Sequence, residues 1–158
     1  MMFCPDHAFC LCDEAGSVVG YVLAAFDTKS FAKQCNAEWW PQLRLEYQHV
    51  RGKMRVNENN LLEEKIFGSS SAAGVSLSNE QLELFPSHMH IDLIASAQGK
   101  QFGVVMVERL LDTLRGAGSR GVHLTMSSKN ARAYKFYSKL GFQLAVEGRD
   151  EWILTKKL

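Results

Sequence analysis

The stretch Asn130–Phe142, with the sequence NARAYKFYSKLGF, decides how this chain folds. Asn130, Ala133 and Tyr137 stand at positions i, i+3 and i+7, so they share one face of a helix, with Asn130 and Tyr137 roughly 10 Å apart along its axis. Gly141 stands where a helix commonly ends on a left-handed residue. An amide, a small residue and a phenol in one line suit an elongated ligand lying against the helix. An ordinary amphipathic helix fits the same pattern, so the segments before it decide between the two interpretations.

The composition of the chain is that of an ordinary globular domain. Its 158 residues suit one domain, 1–158, with one core. Hydrophobic residues make up 46% and charged residues 22%, which is close to the average of soluble globular proteins. A formal net charge of +1 predicts neither a nucleic-acid partner nor a membrane surface. The apolar run from Val18 to Phe26 is too short to span a bilayer, and Met1 to Cys12 lacks the pattern of a secretory signal. We therefore expect a cytoplasmic or nuclear protein.

Cysteines near the start of the chain raise the question of a metal site. Cys4, His7, Cys10 and Cys12 lie close together in the sequence, which invites a zinc interpretation. The spacing is poor for zinc, and Cys10-Leu11-Cys12 fits an alternating strand. Without an export signal the thiols are expected to be reduced. We expect buried, inert thiols and no metal, with zinc kept as the alternative.

Hydrophobic periodicity and turn residues place the elements of the first half. Residues 8–13 and 17–25 are predicted to form a β-hairpin. A helix capped by Asp27 or Thr28 should follow, with a break or kink at Pro41. The rest of this half is predicted as weakly ordered polar sequence, a short helix and a loop, at residues 49–60, 60–67 and 69–79.

The second half alternates strands with helices. Residues 87–95 form a predicted strand that carries His88, His90 and Asp92 on one face, and a helix opens at residues 98–103. Further elements are a strand at 121–127, the helix from Asn130, and closing strands at 142–146 and 151–155. The predicted order is β-β-α-α-β-α-β-α-β-β, which is typical of an α/β layered fold.

The junction between the strand at 87–95 and the next helix is a candidate anion site. The first N–H groups of a helix have no partner within it, and the helix dipole favours negative charge there. Gly99 and Gly103 would let a phosphate approach the backbone, and Lys100 adds a positive charge. Many such junctions use glycine only for packing. The helix at Asn130, a fixed distance downstream, favours the functional interpretation.

Together these residues resemble a known family. The pattern Gln98-x-x-Gln101-x-Gly103, followed by the run 130–142, is similar to the acetyl-CoA-binding core of the GNAT superfamily of N-acetyltransferases. Residues 85–93 and Asp27-Thr28-x-x-Phe31 resemble one subgroup, which includes the acetyltransferase-like domain of eukaryotic O-GlcNAc hydrolases and free-standing bacterial relatives. The resemblance covers about residues 9–158.

The resemblance implies a GNAT-like α/β (α+β) fold, in which a mixed, mostly antiparallel sheet is flanked by helices. It also implies a groove for acetyl-CoA as co-substrate, with the strand near Ile91 pairing with the pantetheine arm and the turn after it holding the pyrophosphate. Asn130 would hydrogen-bond pantetheine, and Ala133 would leave room for it. The cofactor-binding residues implied in this way are Ile91, Leu93, Ile94, Gln98, Gly99, Lys100, Gln101, Phe102, Gly103, Val104, Asn130, Ala133, Phe136 and Tyr137.

For catalysis, the resemblance implies that Tyr137 lies near the thioester sulfur as general acid. An amine that attacks a thioester expels a thiolate, and a phenol with a pKa of about 10 is a suitable proton donor. A lysine amine, with a pKa of ~10.4, is neutral about once in 10³ at pH 7, so a base is also needed. The subgroup resemblance favours Asp92, with His90 as a second candidate and a β-bulge near 91–93 to re-aim the carboxylate. Asp92 as a loop cap is the structural alternative.

Three departures from the family pattern bear on activity. Gln101 replaces the first glycine of the phosphate turn, and weaker binding is expected rather than none, because helix-starting backbone angles are open to Gln. Residues 95–97, Ala-Ser-Ala, replace a usual Pro-acidic pair. The strand and helices that normally precede the hairpin have no room in residues 1–8, which would expose apolar sheet surface and favour a homodimer.

The sequence thus leads to an N-acetyltransferase that moves an acetyl group to a primary amine on a protein lysine, an aminosugar or a small molecule. The alternative is a catalytically silent acetyltransferase-like module that binds acyl-CoA weakly or acts in protein interaction. An unrelated phosphate-binding α/β domain is the third hypothesis. The expected partners are acetyl-CoA and an amine acceptor.

Overall fold

The computed structural model describes residues 5–50 and 75–158. The chain divides into two compact units, residues 1–28 with 75–158 and residues 29–74. Within the described residues, no helix combines the length and the apolar character that crossing a membrane requires. The strands are β1 Ala8–Cys12, β2 Val18–Ala25, β3 Ser87–Leu93, β4 Gly121–Ser127, β5 Gln143–Glu147 and β6 Glu151–Lys157. The α-helices are α1 Thr28–Gln34, α2 Trp40–Glu46, α3 Asn79–Leu84, α4 Phe102–Gly116 and α5 Ala131–Lys139.

One six-stranded sheet organises the first unit, with the strand order β1-β2-β3-β4-β6-β5. Neighbouring strands are antiparallel except for β3 and β4, which are parallel. This confirms the predicted mixed, mostly antiparallel sheet. Because β3 and β4 run in the same direction, the chain must cross over between them, and α4 makes that crossover.

The hydrophobic core lies between one face of the sheet and helices α4 and α5. The strand registers place Met89 beside Ala24, and Leu124 beside Leu154, on this face. Leu110 and Leu114 of α4 are fully buried against it. Burial of each such leucine is worth roughly 1.5–3 kcal/mol. The α5 side chains that pack on the same core are Ala133, Tyr134, Phe136, Tyr137 and Leu140.

The first-half hairpin forms as expected, and its turn is closed by Asp13. One carboxylate oxygen of Asp13 accepts hydrogen bonds from the N–H groups of Ala15 and Ser17, at 3.0 and 2.8 Å. The helix α3 was not among the elements predicted from the sequence. A capping box signals it, since Ser78 and Gln81 each accept a hydrogen bond from the other's backbone N–H.

The expected break in the long helix is present at Pro41. A π-helical turn, Cys35–Trp39, separates α1 from α2, and Pro41 lies in the first turn of α2. A wider turn accommodates a proline ring that would otherwise clash with the carbonyl four residues earlier. In the same unit, the rings of Trp39 and Trp40 stack with their centroids 5.2 Å apart. The short helix predicted at 60–67 and most of the loop at 69–79 lie outside the described residues.

The expectation of buried thiols is wrong for two cysteines. Cys10 and Cys12 are exposed, whereas Cys35 is buried. The reason is strand alternation, because Cys10 and Cys12 alternate with Leu11 and Phe9, which pack on the core, and so lie on the other face of β1. Cys4 lies outside the described residues. Among those described, no three His, Cys, Asp or Glu side chains are grouped closely enough to hold a metal ion.

Candidate functional site

A gap opens inside the sheet between the two parallel strands. β3 and β4 are paired at only two positions, Ser87 with Val122 and His88 with His123, and both strands continue for several residues beyond. Beyond His88, β3 has no further paired position with β4, so the later backbone groups of β3 that face β4 have no ladder partner. The unpaired segments lead to the carboxyl ends of β3 and β4, after which α4 and α5 begin. In open α/β sheets ligands bind at such ends.

The turn between β3 and α4 presents unpaired N–H groups towards this gap. The N–H groups of Val104 and Val105 donate to the carbonyl of Gln101, at 3.0 and 3.2 Å. Those of Gln101, Phe102 and Gly103 make no hydrogen bond within the described part of the chain. No side chain caps α4 either. Three free donors at the positive end of a 15-residue helix make this turn the candidate anion site.

Two left-handed residues shape this turn, Gly99 with φ +77° and Gln101 with φ +63°. The space where a side chain would stand at Gly99 is open, with no atom within 4 Å. The expectation that Gln101 adopts helix-starting angles is wrong. Gln101 is instead the residue before the helix, and its left-handed conformation costs roughly 1–2 kcal/mol for a residue with a Cβ. Gln101 is the sole non-glycine residue with positive φ in the described segments.

The outer residues of the predicted pyrophosphate stretch are engaged within the protein. The N–H of Gln98 donates to the carbonyl of Ala95, and its side-chain amide donates to the carbonyl of Leu93 at 2.8 Å. The N–H of Ile94 donates to the carbonyl of Val19. Lys100 is exposed beside the free donors, and Val104 is half-buried. The N–H groups of Gly99 and Lys100 also make no hydrogen bond within the described residues, and those of Gln101, Phe102 and Gly103 are the free donors at the start of α4.

Gly103 brings this turn against helix α5. A methyl group placed on Gly103 would lie 3.3 Å from Cζ of Phe136 and 3.5 Å from Cδ1 of Leu93. The absence of a side chain thus lets α4, β3 and α5 meet at one point. As a result, the candidate anion turn lies against the helix that carries Asn130 and Tyr137.

Helix α5 begins with Asn130 as its cap. The side-chain oxygen of Asn130 accepts a hydrogen bond from the N–H of Ala133 at 3.0 Å. The amide nitrogen of the same side chain takes no part in this cap, so it is the end of Asn130 that a ligand can use. Ala133 and Tyr137, on the same face, are half-buried against the core.

Tyr137 is held in an aromatic environment near the end of α5. Its ring meets those of Phe136 and Phe142 edge to face, with centroids 5.1 and 5.6 Å apart. Burial raises the pKa of Tyr137 to about 12, because the charged phenolate is poorly solvated there. The phenol is therefore a proton or hydrogen-bond donor throughout the neutral pH range.

Asp92 lies on the opposite face of the sheet from α5. The register of β3 against β2 is continuous from His88 to Leu93, so the expected bulge is absent. Asp92 is exposed and stands beside Tyr21 of β2, and its side chain makes no hydrogen bond within the described residues, which excludes it as a loop cap there. Ile91 and Leu93 point to the core on the other face. Asp92 and Tyr137 lie on opposite faces of the sheet, so a single ligand can contact both only if it lies in the gap between β3 and β4.

The histidines of β3 have different surroundings. His90 is exposed, with its ring centroid 5.8 Å from that of Tyr21. His88 is partly buried, and its Nδ1 lies 2.9 Å from the hydroxyl of Thr28. That hydroxyl donates to the carbonyl of Pro86, so Nδ1 of His88 is the donor to Thr28.

His123 of β4, which the sequence analysis missed, stands beside His88 at the last paired position of the two strands. Their ring centroids are 5.8 Å apart. Burial, and then the neighbouring His123, lowers the pKa of His88 to about 4, and burial also lowers the pKa of His123. Both rings are neutral at pH 7. A histidine one strand away could have been found only by knowing the parallel register.

Comparisons with known proteins agree with this geometry. The model of the acetyltransferase (GNAT) family matches residues 2–142. Over 157 residues the chain is 32% identical to Protein O-GlcNAcase of Rattus norvegicus. The matched region covers 97% of this chain but only 17% of that protein. The solved structure of SsHAT matches with a TM-score of 0.73 and 31% sequence identity. The match covers 97% of this chain and 73% of the SsHAT chain.

More distant solved structures share the fold. One is the phosphinothricin acetyltransferase of Sinorhizobium meliloti in complex with AcCoA, with a TM-score of 0.55 and 15% identity over 96% of this chain and 60% of that chain. With the gap between β3 and β4, the uncapped start of α4 and the Asn130–Tyr137 helix in place, the chain belongs to the GNAT acetyltransferase family.

Proposed function

We propose that this protein binds acetyl-CoA and transfers its acetyl group to a primary amine. The observation that carries the proposal is that one site joins three free N–H groups, an unpaired strand edge and a protonated phenol. These three features match the three chemical parts of the co-substrate, which are the phosphates, the pantetheine amides and the thioester. A GNAT-family relative solved with AcCoA supports the choice of ligand.

The chain's own groups fit such a ligand along its length. The N–H groups of Gln101, Phe102 and Gly103 would hold the pyrophosphate, on the open side left by Gly99. The free edge of residues 89–93 would hydrogen-bond the pantetheine arm as an added strand does. The side-chain amide of Asn130 would donate to the same arm. Bound acetyl-CoA supplies an activated acyl thioester.

Tyr137 would act as the proton donor to the departing sulfur. A thiolate has a conjugate pKa near 8.5 in water, well below the value of about 12 for Tyr137. Full proton transfer is therefore uphill in the free protein, and the phenol contributes first as a hydrogen-bond donor while negative charge develops on sulfur. Such donors are worth several kcal/mol when water is excluded.

Asp92 would take the proton from the ammonium group of the acceptor, so that the neutral amine can attack the thioester, with His90 as the second candidate. Both side chains are exposed, and neither forms an ion pair within the described residues. Since Asp92 lies on the face away from α5, the acceptor would enter from that face and meet the thioester in the gap. A protein lysine, an aminosugar and a small amine all present the required group.

A catalytically silent module is the second candidate, and Gln101 favours it. A strained side chain stands where the family pattern has glycine, directly beside the phosphate donors. Such a protein would bind an acyl-CoA weakly without turning it over.

Calorimetric titration with acetyl-CoA, followed by an assay of thiol release over a panel of amines, tests both candidates. The enzyme hypothesis expects binding and amine-dependent thiol release, reduced about 10²-fold in Tyr137→Phe with the dissociation constant changed less than about threefold. Tyr134→Phe is the matched control, because Tyr134 packs on Trp152 in the core. Binding without thiol release would support the silent module, and no binding at high micromolar ligand would refute both.

A further inference from the structure

Arg132 occupies a position on α5 that none of the functions assigned above uses. It lies four residues before Phe136, so the two side chains share one face of the helix. That face meets the first turn of α4, because the ring of Phe136 packs against Gly103. Arg132 is exposed and belongs to the first turn of α5.

The directions of the helices bring Arg132 level with the free N–H groups. β3, β4 and β5 all run in the same direction, since β4 and β5 are each antiparallel to β6. The helices α4 and α5 each return between two of these strands, so they run roughly parallel to one another. The four residues from Arg132 to Phe136 rise about 6 Å along the helix axis, and side chains on a helix lean towards its N-terminus. Arg132 therefore projects towards the turn before Gly103.

The charge of Arg132 has no structural use in its own surroundings. It forms no ion pair within the described residues, and the first turn of α5 carries no acidic side chain. A cation at the positive end of a helix dipole destabilises that helix slightly. An anion brought by a ligand would remove this conflict.

We propose that Arg132 binds a phosphate group of the ligand held at Gln101–Gly103. The inference rests on the proposed function and adds a residue to it. The guanidinium supplies paired donors that match phosphate oxygens. Either the pyrophosphate or the 3′-phosphate of CoA offers this chemistry, and ligands that lack one or both distinguish them.

The test is calorimetric titration of Arg132→Gln with acetyl-CoA, acetyl-3′-dephospho-CoA and S-acetylpantetheine. Lys139→Gln is the charge-matched control, because Lys139 lies on the same face of α5 seven residues further from the turn. We expect about tenfold weaker binding of acetyl-CoA in Arg132→Gln, less than twofold change in Lys139→Gln, and partial recovery in Arg132→Lys. S-acetylpantetheine should bind the wild type and Arg132→Gln equally.

The outcomes separate this inference from the proposed function. A loss for both nucleotide ligands assigns the pyrophosphate, and a loss confined to acetyl-CoA assigns the 3′-phosphate. Equal affinities for acetyl-CoA in Arg132→Gln and Lys139→Gln would overturn the role of Arg132 while leaving the proposed function standing. Failure of the wild type to bind acetyl-CoA would overturn both.

Discussion

The two strand–helix junctions of the sheet, β3 to α4 and β4 to α5, are built in opposite ways. The β4–α5 junction is short and satisfies itself, since the side chain of Asn130 caps α5. The β3–α4 junction is long, contains a 3-10 turn at Ala95–Ala97 and two left-handed residues, and leaves α4 uncapped.

This difference indicates that the two helices have different roles in the candidate site. A helix whose first N–H groups are capped from within has less to offer an anion, whereas an uncapped helix keeps its donors free. In the proposed function, the anion site therefore lies at α4, and α5 presents side chains. Gly103 and Phe136 hold the two junctions together. Substitutions that change the packing, the cap or the backbone strain of one junction test these different roles.

The largest expected effect comes from separating the junctions with Gly103→Val. Its side chain would be forced against Phe136 and Leu93, and overpacking of this kind costs about 1–3 kcal/mol. Urea denaturation should show the loss in the free energy of unfolding. Gly116→Val, at a helical glycine with no atom within 4 Å of its missing side chain, is the control and should not lower stability, because valine has a higher helix propensity than glycine. Equal losses would show that Gly103 is not a contact point.

The second effect concerns the two-residue pairing of β3 and β4, on which both junctions depend. The pKa of His88 is lowered to about 4, so the native state binds fewer protons than the unfolded state between about pH 6.5 and pH 4. Stability is then complete above about pH 6.5 and falls as the pH drops towards 4, by up to about 1.4 kcal/mol per pH unit. Urea midpoints at pH 7, 6 and 5 measure this slope. His88→Gln should flatten it, and an unchanged slope would exclude His88 as its source.

The sequence predicted the short β4–α5 junction better than the long β3–α4 junction. The β4–α5 junction depends on local signals, namely Asn130 before a helix and Gly141, with φ +82°, after it, and both occupy their expected positions. The strands and their order could likewise be inferred from alternation and turn residues. The conformation of Gln101 could not, because a long turn has many backbone paths and the choice among them is made by distant packing at Phe136.

The placement of Asp92 and His123 shows a second limit of the sequence. Alternation correctly assigned Asp92 to the face of His88 and His90. Which face α5 would cover depends on the crossover connections and on strand register, and these are non-local. The cross-strand neighbours of a residue, such as His123 beside His88, follow from the same non-local pairing.

A third and smaller effect is expected from Asn130, whose two roles can be separated. Asn130→Ala removes the cap of α5 and should cost about 1 kcal/mol of stability, as measured by urea denaturation. Asn130→Asp keeps an oxygen that accepts from the N–H of Ala133, so it should retain most of the stability. It lacks the amide donor, so its affinity for acetyl-CoA should fall severalfold. An Asp variant that binds as tightly as the wild type would confine Asn130 to capping.

The smallest effect is a gain, expected on relaxing the β3–α4 junction with Gln101→Gly. Relief of the left-handed strain is worth roughly 1–2 kcal/mol, but glycine also gives the unfolded chain more freedom, which offsets roughly 0.4–1 kcal/mol. A net stabilisation of about 0.5–1 kcal/mol should appear in urea denaturation. Removal of the side chain beside the N–H groups of Phe102 and Gly103 should also tighten acetyl-CoA binding severalfold. Lys100→Gly, in the same turn but without positive φ, should give neither gain; equal behaviour of the two variants would show that Gln101 carries no strain.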